Sequence, residues 1–311
     1  MFQAQQLVFY TCVSPVHMGA GQAIGAIDNP IQREVHTGHP LIAGSGLKGA
    51  VRHHFAHTWE DKNLITRLFG PERDASEHAG AVAFTDATLV AFPVRSLNNT
   101  FVYATCPSAL ARLKRLAREK AAWNVPAISA SDETPPAMTS SNKAVSNNRR
   151  LVLEAFDFNA SEDNGVAAIA QWLAVNSLPQ TDEHSFFRDK LKTDFVVLPD
   201  TEFGYFVRNA TVVEPHVKIN NDTGTAEGEM LFYTENLPPE TLLAGLVLAS
   251  VERRKKGDNG NGLKSAEEVL KAVLRDEGKR KGLADRLLQV GGDATTGRGL
   301  IVIHPAGEVI Q

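Results

Sequence analysis

An aspartate and a histidine in one long glycine-rich segment near the start of the chain are candidates for cleaving a phosphodiester bond. His17 lies near the beginning of this segment and Asp28 near its middle. Such cleavage needs a base or a metal ion to assist the attack on phosphorus, and a group that protonates the leaving oxygen. Asp28 could be the base or bind the metal, and His17 is a second candidate catalytic residue. Both also have ordinary interpretations, since Asp before Asn-Pro often forms a turn and a lone histidine is often structural.

A second candidate site follows, in the string Gly44-Ser45-Gly46-Leu47-Lys48-Gly49 and the nearby Arg52. Glycines let a backbone approach a ligand closely, and the first amides and the dipole of a helix attract phosphate. Lys48 and Arg52 lie one helical turn apart and add positive charge to one face. The spacing of a Walker phosphate loop is absent, because no Gly-Lys-Ser/Thr follows at the required distance. Gly44, Ser45, Gly46, Lys48 and Arg52 are therefore candidate contacts to an RNA backbone, although a tight structural turn remains the alternative.

A third glycine-rich segment spans residues 291–299 and contains Arg298. It could close against the first segment and bring Arg298 to a phosphate group. It could equally end the helix that is expected before it.

The composition limits what kind of protein this is. The chain has 311 residues, is 43% hydrophobic and carries a formal net charge of −4. It can bury a sizeable core, and its apolar runs are shorter than the roughly 20 residues that a membrane-spanning helix needs. With only Cys12 and Cys106, both expected to be reduced core residues, there is no disulfide framework or zinc knuckle. A cytoplasmic protein without a membrane segment is expected, and the net charge argues against a freestanding nucleic-acid binder.

Strands and helices alternate along the chain, which predicts an α+β fold. The first strand is expected at Leu7–Val13, and after the long segment a helix is expected at Leu47–Trp59. Further strands are expected at Ala81–Phe92, Thr100–Thr105, Leu151–Phe156, Tyr205–Val213, Met230–Tyr233 and Leu300–Ile303. Further helices are expected at Ala109–Trp123 after a Ser108 cap, in the apolar run from Pro238 to Val251, after the Ser265–Glu268 capping box, and at Lys279–Val290.

Two insertions are expected within a single domain that spans residues 1–311. Residues 124–150 are rich in Ser, Asn, Thr and Pro and predict a flexible segment. Residues 205–235 contain the turn signal Asn220-Asn221-Asp222-Thr223-Gly224 between two apolar runs and predict a protruding hairpin.

At these residues the chain resembles the RAMP superfamily of CRISPR proteins, and within it the repeated backbone subunit of the type III-B (Cmr) effector complex. The resemblance rests on residues 14–21, 27–34, 37–49, 223–235 and 291–299, so it runs almost from end to end. The string Pro-Ile-Gln-Arg-Glu at 30–34 separates the chain from the type III-A relative. Ser14 stands where threonine is commoner and Ala43 where proline is usual, and neither change removes a functional group.

The resemblance implies a ferredoxin-like (RRM-type) palm with inserted arms, one of which is a thumb hairpin. It also implies that copies stack head to tail along a CRISPR guide RNA beside other Cmr-type subunits. Each copy would cut the paired, single-stranded target RNA with Asp28 and a divalent metal, Mg²⁺ or Mn²⁺, whose protein ligands the sequence does not identify. Lys48 falls on the position that grips guide phosphates, and further members of the active site are expected among Glu227, Glu229, Tyr233 and Glu235. Because base pairing reads the target, the protein should contact the RNA backbone.

Two other functions stay open. The chain could be a structural RAMP subunit that binds guide RNA without cutting. It could also be a monomeric, metal-free endonuclease that processes precursor transcripts, although the long insertions and the missing histidine-rich centre disfavour this function.

Overall fold

The computed structural model describes residues 2–23, 25–72, 78–130, 134–220, 222–252 and 262–307, and for residues 147 and 226–230 the backbone alone. The strands are β1 (Ala4–Cys12), β2 (Leu41–Ile42), β3 (Val82–Phe84), β4 (Ala87–Arg95), β5 (Phe101–Thr105), β6 (Pro136–Thr139), β7 (Arg150–Leu153), β8 (Phe156–Glu162), β9 (Phe195–Val197), β10 (Val212–Ile219), β11 (Ala226–Asn236), β12 (Leu242–Ala249), β13 (Arg286–Gln289) and β14 (Leu300–Pro305). The helices are α1 (Gly44–Thr58), α2 (Lys62–Phe69), α3 (Pro107–Ala117), α4 (Asn164–Asn176), α5 (Ser185–Thr193), α6 (Asp200–Asn209) and α7 (Ala266–Leu274). Each helix in this part of the chain is too short or too polar to cross a bilayer.

One large sheet organises the molecule. Its strands follow the order β13-β14-β1-β12-β4-β5-β9-β6-β8-β7, with β2 paired to β4 and β3 paired to β12. The pairs β5–β9 and β6–β8 are parallel, whereas neighbours such as β1–β12 and β1–β14 are antiparallel. The expectation of an α+β fold is confirmed, with a mixed and mostly antiparallel sheet.

The core lies on both faces of this sheet. Along β1, Val8 and Tyr10 belong to one buried cluster and Leu7 and Phe9 to the other, as the alternation of side chains along a strand requires. Apolar residues of α1, α2, α6 and α7 pack in the first cluster. Those of α4 and α5, together with Leu110 and Leu113 of α3, pack in the second. This two-sided burial explains why the central strands contain few polar residues.

The strands β10 and β11 form a separate two-stranded antiparallel hairpin. Pro215 faces Tyr233 and Val217 faces Leu231 across the hairpin, so these side chains share one face. Val217, Leu231 and Tyr233 are exposed there. A hairpin is therefore present within the predicted segment, and its first strand begins at Val212 and not at Tyr205.

The expected strand at Tyr205–Val213 is wrong in its first half, because Asp200–Asn209 is α6. Phe203, Phe206 and Val207 are buried, and their spacing of three and four residues places them on one helical face. The aromatic residues of this segment favour a strand, but its buried residues follow the helical period, and the segment is a helix.

The apolar run after Pro238 was expected to be a helix, and this expectation is wrong. Leu242–Ala249 is β12, which pairs with β1 on one side and with β3 and β4 on the other. A strand buried on both faces reads as a continuous apolar run, which periodicity cannot distinguish from a buried helix.

The helix expected at Lys279–Val290 is also wrong. Only Arg286–Gln289 is regular, and it forms the edge strand β13 beside β14. At Gly282 a β-carbon would lie 2.5 Å from the backbone nitrogen of Arg275. The amides of Leu283 and Ala284 donate to the carbonyls of Val273 and Leu274 in α7, so they are not available to a helix of this segment.

The ends of two helices test the capping predictions. Ser265 accepts a hydrogen bond from the Glu268 amide and caps α7, as expected. Ser108 lies inside α3, which begins at Pro107, and its hydroxyl donates to Asp200 Oδ2 at 2.9 Å. The Ser108 cap is therefore wrong, and this hydroxyl links α3 to α6.

Part of the segment 124–150 is integrated into the fold. Residues 136–139 form β6, which lies between β9 and β8 in the large sheet. Residues 131–133 of this segment lie outside the described residues.

Candidate functional site

Asp28 is attached to the hairpin through the outer edge of β11. Its Oδ2 accepts a hydrogen bond of 2.7 Å from the Tyr233 amide. The neighbouring Asn29 continues the contact, since its amide donates to the Tyr233 carbonyl and its own carbonyl accepts from the Glu235 amide, both at 3.0 Å. The long loop between β1 and β2 (residues 13–40) thus pairs with β11 at the residue that carries the candidate carboxylate.

His17 is attached to the same strand edge. Its Nδ1 lies 2.7 Å from the carbonyl oxygen of Glu235. A carbonyl only accepts, so Nδ1 carries the proton and Nε2 is the nitrogen left for other chemistry. At Gly19 a β-carbon would lie 2.8 Å from Nε2, and at Gly291 one would lie 2.2 Å from the His17 carbonyl oxygen. Glycine on both sides therefore leaves room for this ring and for the C-terminal loop behind it.

Residues 233, 235 and 237 present all their backbone polar groups to the long loop. Further along this edge of the hairpin, the backbones of Val16 and Leu237 exchange two hydrogen bonds of 3.0 and 2.9 Å. The two predicted catalytic residues are therefore brought together as partners of one strand edge. Tyr233 and Glu235 are alternate residues of β11, about 7 Å apart along the strand.

The carboxylate of Asp28 is accessible. Asp28 is half-buried and lines a shallow surface cleft with Gln22, Ala23, Asn29 and the ring of Phe232. Among the described residues no hydrogen bond engages its Oδ1. One oxygen thus orients the group and the other remains available to a ligand.

Glu235 is buried, and its carboxylate accepts three hydrogen bonds that hold the hairpin against the long loop. Its side chain is 3% exposed and pairs with Arg33. The Ile31 amide donates to Oε2 at 3.1 Å, and Thr211 Oγ1 donates to Oε1 at 2.8 Å. Both carboxylate oxygens of Glu235 therefore have partners. Glu235 anchors the hairpin to the long loop and is not an exposed acid of the site.

Arg33 extends this anchor to α6. Its Nη1 donates to the carbonyl oxygens of Gly38 at 2.9 Å and Val207 at 2.8 Å, while Nη2 pairs with Glu235. The planar guanidinium therefore connects the long loop, α6 and the hairpin in one arrangement, which a flexible ammonium could not reproduce.

A second ion pair holds the same loop to α3. Glu34 pairs with Arg112 and accepts from Thr37 at 2.6 Å. Burial alone would raise the pKa of Glu34, but the hydrogen bonds from Arg112 and Thr37 hold it below its usual value. Burial and the charge of Arg112 lower the pKa of His39 to about 4, so His39 is neutral and accepts from Arg112 at 3.2 Å.

The predicted phosphate loop is the first turn of α1. The helix begins at Gly44 itself, and the Gly44 amide is occupied by Asp86 Oδ1 at 2.8 Å. A β-carbon at Gly44 would lie 2.2 Å from the carbonyl oxygen of Phe84, so packing against this backbone requires the glycine. Within the described residues, the amides of Ser45 and Gly46 have no hydrogen-bond partner.

Lys48 is the cation of α1 that stays available. It is half-buried and forms no ion pair or hydrogen bond with any described residue. Burial, and then the charge of Arg52, lower its pKa. Arg52 lies on the same face of the helix and pairs at 3.5 Å with the exposed Glu72. An exposed pair of this kind is weak and exchangeable.

Arg298 is engaged within the protein. Its Nε and Nη2 donate to the two carboxylate oxygens of Glu214 on β10, at 3.0 and 2.7 Å. This bidentate pair connects the C-terminal loop to the hairpin. A contact between Arg298 and RNA would have to replace or share this partner.

All four of the further active-site candidates lie on β11, and accessibility can be compared for two of them. Tyr233 is 37% exposed, whereas Glu235 is buried. The side chains of Glu227 and Glu229 lie outside the described residues. The anchoring roles of Glu235, Arg33 and Glu214 were not predicted, and the only sequence signal was the Arg33-Glu34 charge pair inside the Pro-Ile-Gln-Arg-Glu string.

The donor set around Asp28 fits a divalent cation that is shared with a ligand. Among the described residues no group of three or more His, Cys, Asp or Glu side chains could hold a metal ion. Mg²⁺ is commonly bound by one or two carboxylates together with phosphate oxygens and water. Asp28, with one uncommitted oxygen in an open cleft, fits that kind of binding.

Comparisons with known proteins agree on one family. The model of the RAMP superfamily matches residues 9–302. The chain is 32% identical to the CRISPR system Cmr endoribonuclease Cmr4 of Pyrococcus furiosus, over 96% of this chain and 94% of the relative. The crystal structure of oligomeric Cmr4 from Pyrococcus furiosus superimposes with a TM-score of 0.69 at 26% identity, covering 98% of each chain. A cryo-EM structure of the type III-B Cmr-beta complex bound to cognate target RNA contains a chain of the same fold, with a TM-score of 0.70, 20% identity and 98% of each chain covered.

The match therefore spans nearly the whole chain, including the long loop, α1, the hairpin and the C-terminal loop, and this chain belongs to the RAMP superfamily.

Proposed function

We propose that this chain is the repeated backbone subunit of a type III-B CRISPR effector complex and that it cleaves target RNA with Asp28. The observation that carries the proposal is the position of Asp28. Its carboxylate lies in an open cleft, one oxygen is fixed by the Tyr233 amide, and the other has no partner among the described residues. A carboxylate held in this way is suited to act on an incoming ligand.

The relatives support the type of reaction. The Pyrococcus furiosus relative is named an endoribonuclease of the Cmr system, and its crystal structure is described as oligomeric. In the proposal this chain is likewise an endoribonuclease that self-associates head to tail along guide RNA with other Cmr-type subunits. Residues 1–311 form a single RAMP domain with a ferredoxin-like palm, and the β10–β11 hairpin is its thumb.

Asp28 and His17 would divide the proton transfers of the reaction. Asp28 accepts the proton of the attacking oxygen or binds the metal ion. The Glu235 carbonyl fixes the Nδ1 proton of His17, so a second proton would be carried on Nε2 of the imidazolium and donated to the leaving oxygen, which leaves the ring neutral. Glycine at position 19 leaves Nε2 room for that contact.

A divalent metal ion, Mg²⁺ or Mn²⁺, would be held by Asp28 and by RNA phosphate oxygens. When bound, it would neutralise charge that develops on the phosphate.

The RNA backbone would lie along the first turns of α1. The amides of Ser45 and Gly46, which have no partner in the described part of the chain, the helix dipole and the ammonium of Lys48 all favour a phosphate group there. Gly44 contributes by close packing, and Arg52 contributes charge to the same face. Arg298 would contribute charge from the C-terminal loop, which its pair with Glu214 ties to the thumb. Only a groove of the protein need be basic, which is compatible with the net charge of −4.

The test uses the complex assembled on guide RNA, with complementary target RNA and Mg²⁺ or Mn²⁺. The wild-type complex should cut the target at regular intervals, and Asp28→Ala should abolish cutting while assembly and target binding are unchanged. Cutting by the assembled Asp28→Ala complex would refute the role of Asp28.

The second candidate function is a structural RAMP subunit that binds guide RNA without cutting. It is favoured by the fact that Oδ2 of Asp28 already satisfies a backbone amide of β11. A wild-type complex that leaves the target intact in both metals would establish this function instead. A discrete product formed from repeat RNA by the isolated chain in EDTA would indicate a processing nuclease.

A further inference from the structure

We infer that Glu235 is a positioning residue that fixes Asp28 and His17 relative to each other; the inference rests on the proposed cleavage of RNA by Asp28. Glu235 touches neither reacting group with its carboxylate. It acts on both through the segments that carry them.

The carboxylate fixes the segment that follows Asp28. Its Oε2 accepts from the Ile31 amide and its Oε1 accepts from Thr211, while Arg33 pairs with the same group. Ile31 is three residues after Asp28 and is itself 2% exposed. Three residues span at most about 10 Å. A displacement of Ile31 would therefore also displace Asp28.

The backbone of Glu235 fixes the other two points. Its amide donates to the carbonyl oxygen of Asn29, next to Asp28, and its carbonyl accepts from His17 Nδ1 at 2.7 Å. One residue therefore holds the chain at two points just after Asp28 and orients the His17 ring. Displacement of β11 at this residue would move the two proposed catalytic groups together.

The described part of the long loop contains no helix or regular strand, and its backbone pairs in isolated bridges such as Gly19–Ile31, Asn29–Thr234 and Arg33–Pro40. Two ion pairs with little exposure, Glu34–Arg112 and Arg33–Glu235, also hold it. In a segment without regular structure, side-chain contacts to a rigid element determine the geometry. Of the two ion pairs, Arg33–Glu235 is the one that reaches β11, and an unpaired Arg33 in that place would be unfavourable.

A matched ion pair elsewhere in the chain provides the control. Arg67 and Glu252 pair at 3.1 Å with side chains 19% and 1% exposed, against 21% and 3% for Arg33 and Glu235. Glu252 lies just beyond the end of β12 that is remote from the hairpin. Glu235→Gln and Glu252→Gln therefore make the same chemical change in two equally buried pairs, one at the site and one far from it.

The experiment measures single-turnover cleavage at saturating target, together with target affinity, in complexes assembled with guide RNA. Glu235→Gln should lower the cleavage rate about 10- to 100-fold, as expected when a catalytic group is displaced by about 1 Å, with target affinity unchanged. Glu252→Gln should cut at the wild-type rate once assembled. A role in folding alone would lower the yield of complex for both variants and would leave the rate per assembled complex unchanged.

Thr211→Val covers the case in which Glu235→Gln does not assemble. It removes one hydrogen bond from the same carboxylate and leaves no charge unpaired. Thr211→Val should lower the cleavage rate at saturating target about two- to fivefold. This effect is smaller than that of Glu235→Gln because the loop should be displaced less. A wild-type rate in the assembled Glu235→Gln complex, or in Thr211→Val where the former does not assemble, overturns the inference.

The parallel Asp28→Ala complex separates the two proposals. If Asp28→Ala is inactive and the Glu235 variants cut normally, only the positioning role fails. If Asp28→Ala still cuts, the proposed function fails and the positioning role fails with it.

Discussion

The base of the hairpin and the first turns of α1 differ in whether their polar groups have hydrogen-bond partners within the protein. At the base of the hairpin, Asp28, His17 and Glu235 are each bound by at least one protein group. On α1, Lys48 and the amides of Ser45 and Gly46 have no partner among the described residues. Groups that react must be fixed before the ligand arrives, whereas groups that grip a backbone must stay available for it.

The comparison predicts different consequences of mutation in the two regions. Changes at the hairpin base should reduce the cleavage rate and leave RNA affinity intact. Changes on α1 should reduce RNA affinity and its dependence on salt.

The largest effect is expected for Asp28→Asn. The amide oxygen can still accept from the Tyr233 amide, so the loop should stay in place, while the charge that is proposed to act as base or metal ligand is lost. The cleavage rate of the assembled complex should fall by at least about 100-fold, as for loss of a general base. Single-turnover assays with labelled target measure this rate.

Asp61→Asn is the control for this change. Asp61 likewise accepts from one backbone amide, that of Leu64 at 2.9 Å, but it caps α2. It should cut at the wild-type rate. Equal losses in the two variants would mean that the carboxylate of Asp28 has only a structural role.

Gly19→Ala should give the next largest effect. The new β-carbon would lie 2.8 Å from His17 Nε2, in the space where a leaving oxygen would approach. Because Nδ1 is held by the Glu235 carbonyl, the ring cannot move away freely, and the cleavage rate should fall about tenfold, within the range for loss of orientation. The readout is the rate at saturating target.

Gly25→Ala, in the same loop, is the matched control, since nothing lies within 4 Å of a β-carbon there. A normal rate in Gly19→Ala would contradict the catalytic role of His17.

Lys48→Ala tests the other region. Loss of one phosphate contact should weaken the binding of single-stranded RNA about fivefold and lower the slope of log affinity against log salt by about 1. The affinity is measured by filter binding at several salt concentrations. Lys192→Ala removes a lysine that already pairs with Asp189 at 2.9 Å, and it should change neither quantity. An unchanged salt slope in Lys48→Ala would exclude this contact.

The smallest effect is a dependence of RNA affinity on pH. The pKa of Lys48 is lowered by burial and by the charge of Arg52, so Lys48 loses its proton at a lower pH than an ordinary lysine near pH 10.4. Phosphate prefers the protonated form, and affinity should therefore fall as pH rises towards this lowered pKa. The fall cannot exceed the loss seen in Lys48→Ala. Lys48→Arg, which stays charged, should show a flatter titration, and identical titrations would contradict the assignment.

The residue types in the sequence predict Asp28 and His17 as catalytic candidates, but they do not predict the hydrogen-bond partners of these two residues. The partners of Asp28 and His17 are 205 and 218 positions away in the chain. The bond between Arg33 and Glu235 spans 202 positions. Local patterns do not encode such contacts, and they appear only when the hairpin is folded against the long loop.

The predictions of helices and strands were wrong where burial in the folded chain, and not the local sequence pattern, determines the structure. The strand β1 and the start of α7 were predicted because alternation and a capping box are local signals. The apolar run of β12 predicts a helix equally well, because the strand is covered on both faces. At Gly44 the carbonyl of Phe84 excludes a side chain, a packing requirement that the sequence does not show; the contact of Gly44 with RNA stays a prediction.

The outer edge of β11 has one more consequence, for the behaviour of the chain before it meets RNA. A strand with free amides and carbonyls along one side is a template on which other chains can add, and proteins commonly cover or charge such edges. Residues 13–40 cover this one at residues 233, 235 and 237. Newly synthesised copies can therefore accumulate without joining edge to edge through the base of their hairpins.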